Sequence, residues 1–598
     1  MNRSPSTAYG PTLAAESGQR IDRIIARWAA DRPDAPAVLH PAGTTSYRQL
    51  VDRAAVYQEV LRQAGVGSGE VVAVELPRGP ELIEVLLAVL QLGAVYLALD
   101  QEWPKARREQ AVRQAGARYL LREGSLSVLP DGGSPLAPGA DPCAVFFTSG
   151  TTGVPKAALS THAGLIRIAR DPLLALGPDT RMLQTAPVPW DAFSLEVWGP
   201  LVAGGSTLLH QGRLPTPADV RRAVSGGVNT LFITAALFHA CVGEDPGVFA
   251  GLRLLMTGGE RVSPRQMADC RAANPGLRLL DVYGPVEATV FATAHELPAA
   301  VDSSREIPIG RPLAETSVHV LDGDHRVVAR GTEGQIAIGG AGLALCYLGD
   351  DERSSTQFPV LPIGPGGSPV RVYLTGDRGR MSAEGELEFL GRADRQLKIR
   401  GVRVDPAETE RCLTAHPAVA QASVLAIEDG PGLRLEAFCV LSGPGTVTAE
   451  QLLAAVALEL PTAYQPHRVH LLDALPLTAT GKIDSPSLVA RAMALPQRAD
   501  SAPDQPLDAL TGAVLAHTAE LLGTAPGADD DLFRYGATSI TAIRLSARVA
   551  RDTGVTLSAG SIMRARTSAR IADLVRAAAE PATAPARSLA ASSPSPSR

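Results

Sequence analysis

At 598 residues the chain is too long for one hydrophobic core, and its formal net charge of -6 leaves no basic excess of the kind that nucleic-acid binding needs. Hydrophobic residues make up 45% and charged residues 20%, the balance of a globular protein whose ligands are small molecules or other proteins. The six cysteines, Cys143, Cys241, Cys270, Cys346, Cys412 and Cys439, form no C-x-x-C pair, which argues against a zinc site or disulfide framework and fits a reducing, cytoplasmic setting.

Residues 1–19 hold no apolar core behind a basic stretch and read as a flexible lead-in, not a secretory signal. The longest apolar stretch, residues 82–99, is broken by Glu84, Gln91 and Gly93, and predicts an amphipathic helix running into a strand with no membrane span. From 20 to 393, short apolar runs such as 71–74 and 230–233 alternate with segments of helical period, the pattern of a large α/β core. Residues 394–495 predict a small α+β subdomain, with a helix over 406–416 and strands over 420–427 and 433–441. A polar, proline-containing linker follows at 496–506. Residues 507–580 predict an all-α bundle with helices near 507–522, 540–552 and 567–579, and the Ala/Ser/Pro-rich stretch 581–598 predicts a disordered tail.

The chain uses arginine almost wherever it needs a cation; its only lysines are Lys105, Lys156, Lys398 and Lys482. A lysine retained against that bias marks a place where a compact point charge serves and a planar guanidinium does not. Lys156 ends the run FTSGTTGVPK (147–156), in which Gly150 and Gly153 let backbone amides approach a ligand while Thr148, Ser149, Thr151 and Thr152 add hydroxyls. Such a set suits a polyphosphate, although its spacing is not that of the common nucleotide P-loop.

This run resembles the phosphate loop of the adenylate-forming superfamily, and specifically of nonribosomal peptide synthetase adenylation domains. Further motifs of that family stand in order at 45–50, 92–100, 190–198, 283–287 (YGPVE), 334–347, 373–377 (YLTGD), 391–401 (GRADRQLKIRG) and 481–484 (GKID). The resemblance implies that ATP is held by residues 148–153 and Lys156, with Tyr283 on adenine, Asp377 on the ribose hydroxyls and Arg392 near the nucleotide. It implies that Glu287 holds Mg2+, a hard cation whose oxygen ligands one carboxylate beside a triphosphate supplies. Lys482 is the implied catalytic residue, a cation reaching the substrate carboxylate and the α-phosphate where charge develops. Asp394 is the implied hinge about which the small subdomain turns between adenylate and thioester formation. In the helical bundle, 531–540 (DLFRYGATSI) resembles the carrier motif in which a serine, here Ser539, receives 4'-phosphopantetheine; taken alone, the same serine reads as a helix N-cap.

Asp191 matches the aspartate that pairs with the substrate ammonium in amino-acid-activating members. The remaining pocket positions are Ala192, Leu195, Ile233, Met256, Gly258, Val282, Val290 and Phe291. An all-apolar lining rejects charged and amide side chains by leaving them unpaired, so valine, leucine or isoleucine is expected, with an aromatic acid admitted by space at Gly258.

Departures from the family pattern are Ala98 for proline, Ala157 for glycine, Val286 for threonine, Leu374 for a basic residue, and Gly536-Ala537-Thr538 in the carrier motif. An acyl or aryl-acid ligase would need neither Asp191 nor a fused carrier, and a carrier scaffold loaded in trans would need neither Lys482 nor Glu287. The expected protein is a monomeric loading module served by a phosphopantetheinyl transferase and followed by a tailoring enzyme or condensation domain in trans, with an MbtH-like activator implied by the family.

Overall fold

The computed structural model describes residues 4–14, 19–136, 141–148, 155–212, 214–393, 396–399, 402–429, 432–443, 447–476, 483–494, 507–535 and 537–579. Two compact units divide the chain at Pro496 and Gln497.

Among the described residues, the first unit holds a nine-stranded sheet whose interior strands run parallel in the order Arg278–Tyr283, Leu254–Gly258, Thr230–Thr234, Arg181–Gln184, Ser206–Leu209, Pro36–His40. A six-stranded sheet has Tyr119–Arg122, Val71–Glu75, Val95–Ala98 and Pro142–Thr148 parallel at its centre and antiparallel strands at both edges. Strands buried on both faces carry near-continuous apolar runs, as in VVAV at the start of Val71–Glu75. One buried cluster joins both sheets, from Val72, Val74 and Tyr96 to Phe232, Met256 and Leu280.

Helix Pro80–Gln91 fills that space and is buried continuously from Leu82 to Leu90, so it is not the amphipathic helix expected. Glu84, which suggested a polar face, is 6% exposed and accepts a hydrogen bond from Arg53 at 3.2 Å. A second difference lies at the N-terminus. Thr7–Tyr9, expected to be flexible, is a strand paired antiparallel with Thr316–Leu321. It joins a separate antiparallel sheet with Glu333–Gly340, Val370–Met381, Val360–Leu361 and Leu387–Arg392.

The later part of this unit has its own core under the sheet Val419–Asp429, Gly432–Leu441, Arg468–Leu472 and helix Pro406–Thr414. It meets the large core through a buried ion pair, Arg107 Nη1 to Glu408 Oε1 at 2.6 Å, with Arg107 lying over the rings of Trp103 and Tyr464 at 5.7 and 5.8 Å. The second unit packs helices Ala509–Leu522, Ser539–Thr553 and Ser568–Ala579, as expected, with a short helix Ala559–Ala565 that the sequence pattern did not mark. No helix among the described residues is long and apolar enough to cross a membrane.

Candidate functional site: a cleft at the strand ends

Ligands of parallel α/β sheets bind beyond the carboxyl ends of the strands. Here three neighbouring strands end in register, with Thr234 beside Gly258 and Gly258 beside Val282, so Ile233, Met256, Gly258, Val282 and Tyr283 are brought to one edge. The chain then leaves Tyr283 through Gly284, where an added Cβ would meet the Val290 carbonyl oxygen at 2.4 Å and Phe291 Cα at 2.7 Å. That close approach folds residues 286–291 back over the strand ends. Thr289 and Val290 both take left-handed φ, 52° and 67°, an uncommon conformation for β-branched residues.

The turn aims the Val290 amide at Asp191, whose Oδ2 accepts it at 2.9 Å. Asp191 opens helix Asp191–Val202, which is fastened to the sheet by Glu196: this buried carboxylate accepts from the amides of Thr185 and Ala186 at 2.8 and 2.7 Å. Burial pushes the Asp191 carboxyl up to about 6, against the lowering effect of its backbone hydrogen bonds and of Lys398. Around it Ala192, Leu195, Ile233, Met256, Val282, Val290 and Phe291 are all at most 6% exposed.

A Cβ on Gly258 would lie 1.9 Å from the Val282 carbonyl oxygen, so the direction of its missing side chain is filled by the next strand.

Tyr283 donates its hydroxyl to Asp377 Oδ2 at 2.5 Å, and Arg392 forms an ion pair with the other oxygen of Asp377. Lys398 Nζ lies over the Tyr283 ring, 5.6 Å from its centroid, and burial lowers its pKa. Three of the expected nucleotide residues are thus brought together.

Glu287 is completely buried. Its Oε1 accepts from the Tyr347 hydroxyl at 2.7 Å and from the Thr148 hydroxyl at 3.4 Å, while Arg403 Nη1 lies 3.3 and 3.2 Å from its two oxygens. Burial alone would raise this carboxyl, but Arg403, Lys156 and the Tyr347 hydroxyl together hold it below the usual range. It is an ionised oxygen donor beside a hydroxyl, the set a hard divalent cation takes, so the residues present fit Mg2+. Lys156 is buried with Nζ 5.2 Å from the Tyr347 ring centroid.

Next to these groups is a cavity of about 140 Å³ lined by Lys156, Arg353, Arg403, Thr375 and Leu374 among others. Leu374 stands where the family has a basic residue, and Arg353, on helix Asp351–Gln357, brings a cation to the same cavity.

Ser149, Gly150, Thr151, Thr152, Gly153, Asp394 and Lys482 lie outside the described residues. The sequence motifs do not mark Arg403, Tyr347 or Arg107 as site residues, and they mark Lys398 only as a scarce lysine. That scarcity is the signal for Lys398; nothing distinguishes Arg403 or Arg107 among so many arginines.

In the second unit, Ser539 is the first residue of its helix. The N-cap is Thr538, whose Oγ1 accepts from the Thr541 amide at 3.2 Å while Thr541 Oγ1 accepts from the Thr538 amide at 3.0 Å. The capping role that offered a plain explanation for Ser539 thus belongs to its neighbour. A phosphodiester at Ser539 would meet the positive end of a helix of 15 residues.

The AMP-binding enzyme model matches residues 25–134 and 130–348, the AMP-binding enzyme C-terminal domain matches 408–482, and the phosphopantetheine attachment site matches 512–575. The chain is 36% identical to phosphinothricin tripeptide synthetase PhsC of Streptomyces viridochromogenes over 89% of its length, and 31% identical to tyrocidine synthase 3 of Brevibacillus parabrevis over 78%. It spans 51% of the former and 8% of the latter. A solved structure of holo-PA1221, a nonribosomal peptide synthetase protein containing adenylation and carrier domains and bound to a vinylsulfonamide inhibitor, is 30% identical with a TM-score of 0.78, covering 94% of this chain and 97% of that one. The chain therefore belongs to the AMP-binding enzymes, as a nonribosomal peptide synthetase adenylation domain, an ATP-dependent ligase using Mg2+, joined to a 4'-phosphopantetheine carrier domain.

Proposed function

We propose that this protein activates an α-amino acid with a branched aliphatic side chain as its aminoacyl adenylate and transfers the acyl group to phosphopantetheine on its own Ser539. The observation that carries the reading is Asp191, a carboxylate beside apolar side chains that accepts the Val290 amide and, among the described residues, has Lys398 acting on it only at a distance and no ion-pairing cation. A substrate ammonium supplies that cation, and an aryl or fatty acid does not.

In the first step a substrate carboxylate oxygen attacks the α-phosphorus and pyrophosphate leaves. Asp191 fixes the ammonium; Asp377 and Tyr283 fix the nucleoside; residues 148–153 and Lys156 hold the leaving phosphates; Lys482 offsets charge growing on the α-phosphate. Glu287 and Thr148 would hold Mg2+, whose charge would offset that of the polyphosphate. In the second step the prosthetic thiol displaces AMP from the acyl carbon, as the small subdomain turns about Asp394.

Arg403 lies on the carboxylate that would hold Mg2+, so the two cations would compete for it. Single-methylene differences in apolar pockets shift selectivity by about 1–3 kcal/mol, so discrimination among valine, leucine and isoleucine is expected to be modest. The loaded carrier would serve a condensation or tailoring enzyme, after activation of the carrier by a phosphopantetheinyl transferase.

Amino-acid-dependent exchange of labelled pyrophosphate into ATP, run with each proteinogenic amino acid, tests this reading. Exchange is expected with valine, leucine or isoleucine and lost in Asp191→Ala. Exchange supported by an aryl acid, or retained in Asp191→Ala, would contradict it.

A further inference from the structure

Helix His162–Ala169 carries Arg167 into the interior, where it is 2% exposed. Its Nη2 donates to the carbonyl oxygens of Phe291 at 2.6 Å, Ala288 at 2.8 Å and Thr289 at 3.4 Å, and its Nη1 to Thr316 Oγ1 at 2.9 Å. Among the described residues its bonded partners are carbonyl and hydroxyl oxygens, and its Nε has none. A buried guanidinium held this way is costly, and burial lowers its pKa to about 10. The cost falls on one feature: three carbonyls of the four-residue segment 288–291 converge on one planar fork. Packing alone does not explain it, because an apolar side chain of similar length would fill the space but leave these carbonyls without their donor.

That segment is the one with two consecutive left-handed residues, and it presents the Val290 amide to Asp191 and the Phe291 ring to the pocket, 5.2 Å from the Phe232 ring. A second tether, Thr289 Oγ1 to the Gly342 carbonyl at 2.7 Å, acts from the same side, and an added Cβ on Gly342 would lie 2.4 Å from Arg167 Nη2. Glu287, one residue earlier, is held separately by Tyr347, Thr148 and Arg403, and its carbonyl accepts from the Ala344 amide at 2.8 Å.

We propose that Arg167 is a positioning residue for amino-acid recognition: its guanidinium clamps the strained 288–291 turn, and so sets the Asp191 carboxylate and the pocket wall without touching substrate. The inference rests on Asp191 being the ammonium site only for its kinetic consequence; the clamp itself is tested without substrate. Because Glu287 has its own anchors, losing the clamp separates recognition of the amino acid from recognition of Mg-ATP.

The experiment uses the full chain as wild type, Arg167→Gln, Arg167→Lys and Gly342→Ala, the last displacing the guanidinium while keeping the charge. Hydrogen exchange read by mass spectrometry should accelerate by about tenfold or more in peptides covering 286–292, with strands Thr230–Thr234 and Leu254–Gly258 unchanged, in all three variants. In pyrophosphate exchange with L-valine, L-leucine or L-isoleucine, the amino-acid KM should rise about tenfold or more while the ATP KM moves less than about threefold. Exchange that accelerates evenly over the whole unit, or not at all at 286–292, overturns the clamp. Local acceleration in the variants, together with a wild type that uses none of these amino acids, upholds the clamp and overturns the substrate reading. Equal rises in both KM values overturn the positioning role.

Discussion

Arg403 donates to both oxygens of Glu287 at 3.3 and 3.2 Å, so a cation of the small subdomain sits on the carboxylate that the fold offers to magnesium. Two positive groups cannot share that carboxylate at full strength, since each is attracted by the same charge in a buried, weakly screened setting. If Glu287 holds Mg2+ as proposed, Arg403→Met is expected to leave amino-acid-dependent pyrophosphate exchange within about threefold of wild type. Single-turnover loading of the carrier, started from preformed adenylate, should slow by about tenfold or more, the effect of about 1.4 kcal/mol or more. Equal losses in the two assays would show that Arg403 acts in both steps.

The buried Arg107–Glu408 pair makes the same division from a distance. Removing one partner of a buried pair leaves an uncompensated charge and costs about 3–5 kcal/mol, here charged to the seat between the small subdomain and the core and not to either core. Arg107→Met should therefore lower carrier loading about tenfold or more at unchanged thermal stability of the large core, with exchange preserved. The double change Arg107→Met, Glu408→Met should recover part of the loading, since no lone charge is then buried. Failure of the double variant to exceed the single one would contradict this account of the seat.

Asp191 sets a pH dependence whose sign follows from its raised pKa. Only the carboxylate pairs with an ammonium, so the amino-acid KM should be flat above about pH 7 and rise about tenfold per unit below pH 6. For folding the sign is opposite. The folded group binds its proton more tightly than the unfolded one, whose value is 3.8, so Asp191 costs stability increasingly as pH rises from about 4 to 6 and fully above that. Asp191→Asn should raise stability at pH 8 by about 1–2 kcal/mol in denaturant unfolding while abolishing exchange. Destabilisation by this variant would mean the carboxylate is structurally paired after all.

Gly258 offers a test of packing against selectivity. With the Cβ position 1.9 Å from the Val282 carbonyl oxygen, Gly258→Ala must push two central strands apart, and a loss of about 3 kcal/mol or more in unfolding free energy is expected. A variant of normal stability with a narrowed substrate range would instead show that the glycine opens the pocket.

Much of this architecture is visible in residues alone, because the central strands are continuous apolar runs and the motif residues are chemically specific. Tyr283, Asp377 and Arg392 follow from such motifs and meet in one cluster, and Glu287 follows from the same motif as Tyr283. What escapes the sequence does so for physical causes. Thr7–Tyr9 is too short to show a period, and its partner strand lies far along the chain, at Thr316–Leu321. Arg107, Arg167 and Arg403 are invisible in a chain that uses arginine as its ordinary cation. A glycine reveals that no side chain fits, but only the register of Gly258 against Val282 shows which neighbour forbids it. Ser539 is ambiguous between cap and attachment site until Thr538 is seen to hold the cap.

The central claim is self-loading, and the most direct measurement is the intact mass of the pantetheinylated protein after incubation with Mg-ATP and single amino acids, alongside Ser539→Ala and Lys482→Ala. The account predicts a gain equal to one valyl, leucyl or isoleucyl group on the wild type, none on Ser539→Ala, and a rate at least about a hundredfold lower on Lys482→Ala. No gain with any amino acid on fully pantetheinylated wild type, or a gain that persists in Ser539→Ala, would contradict it.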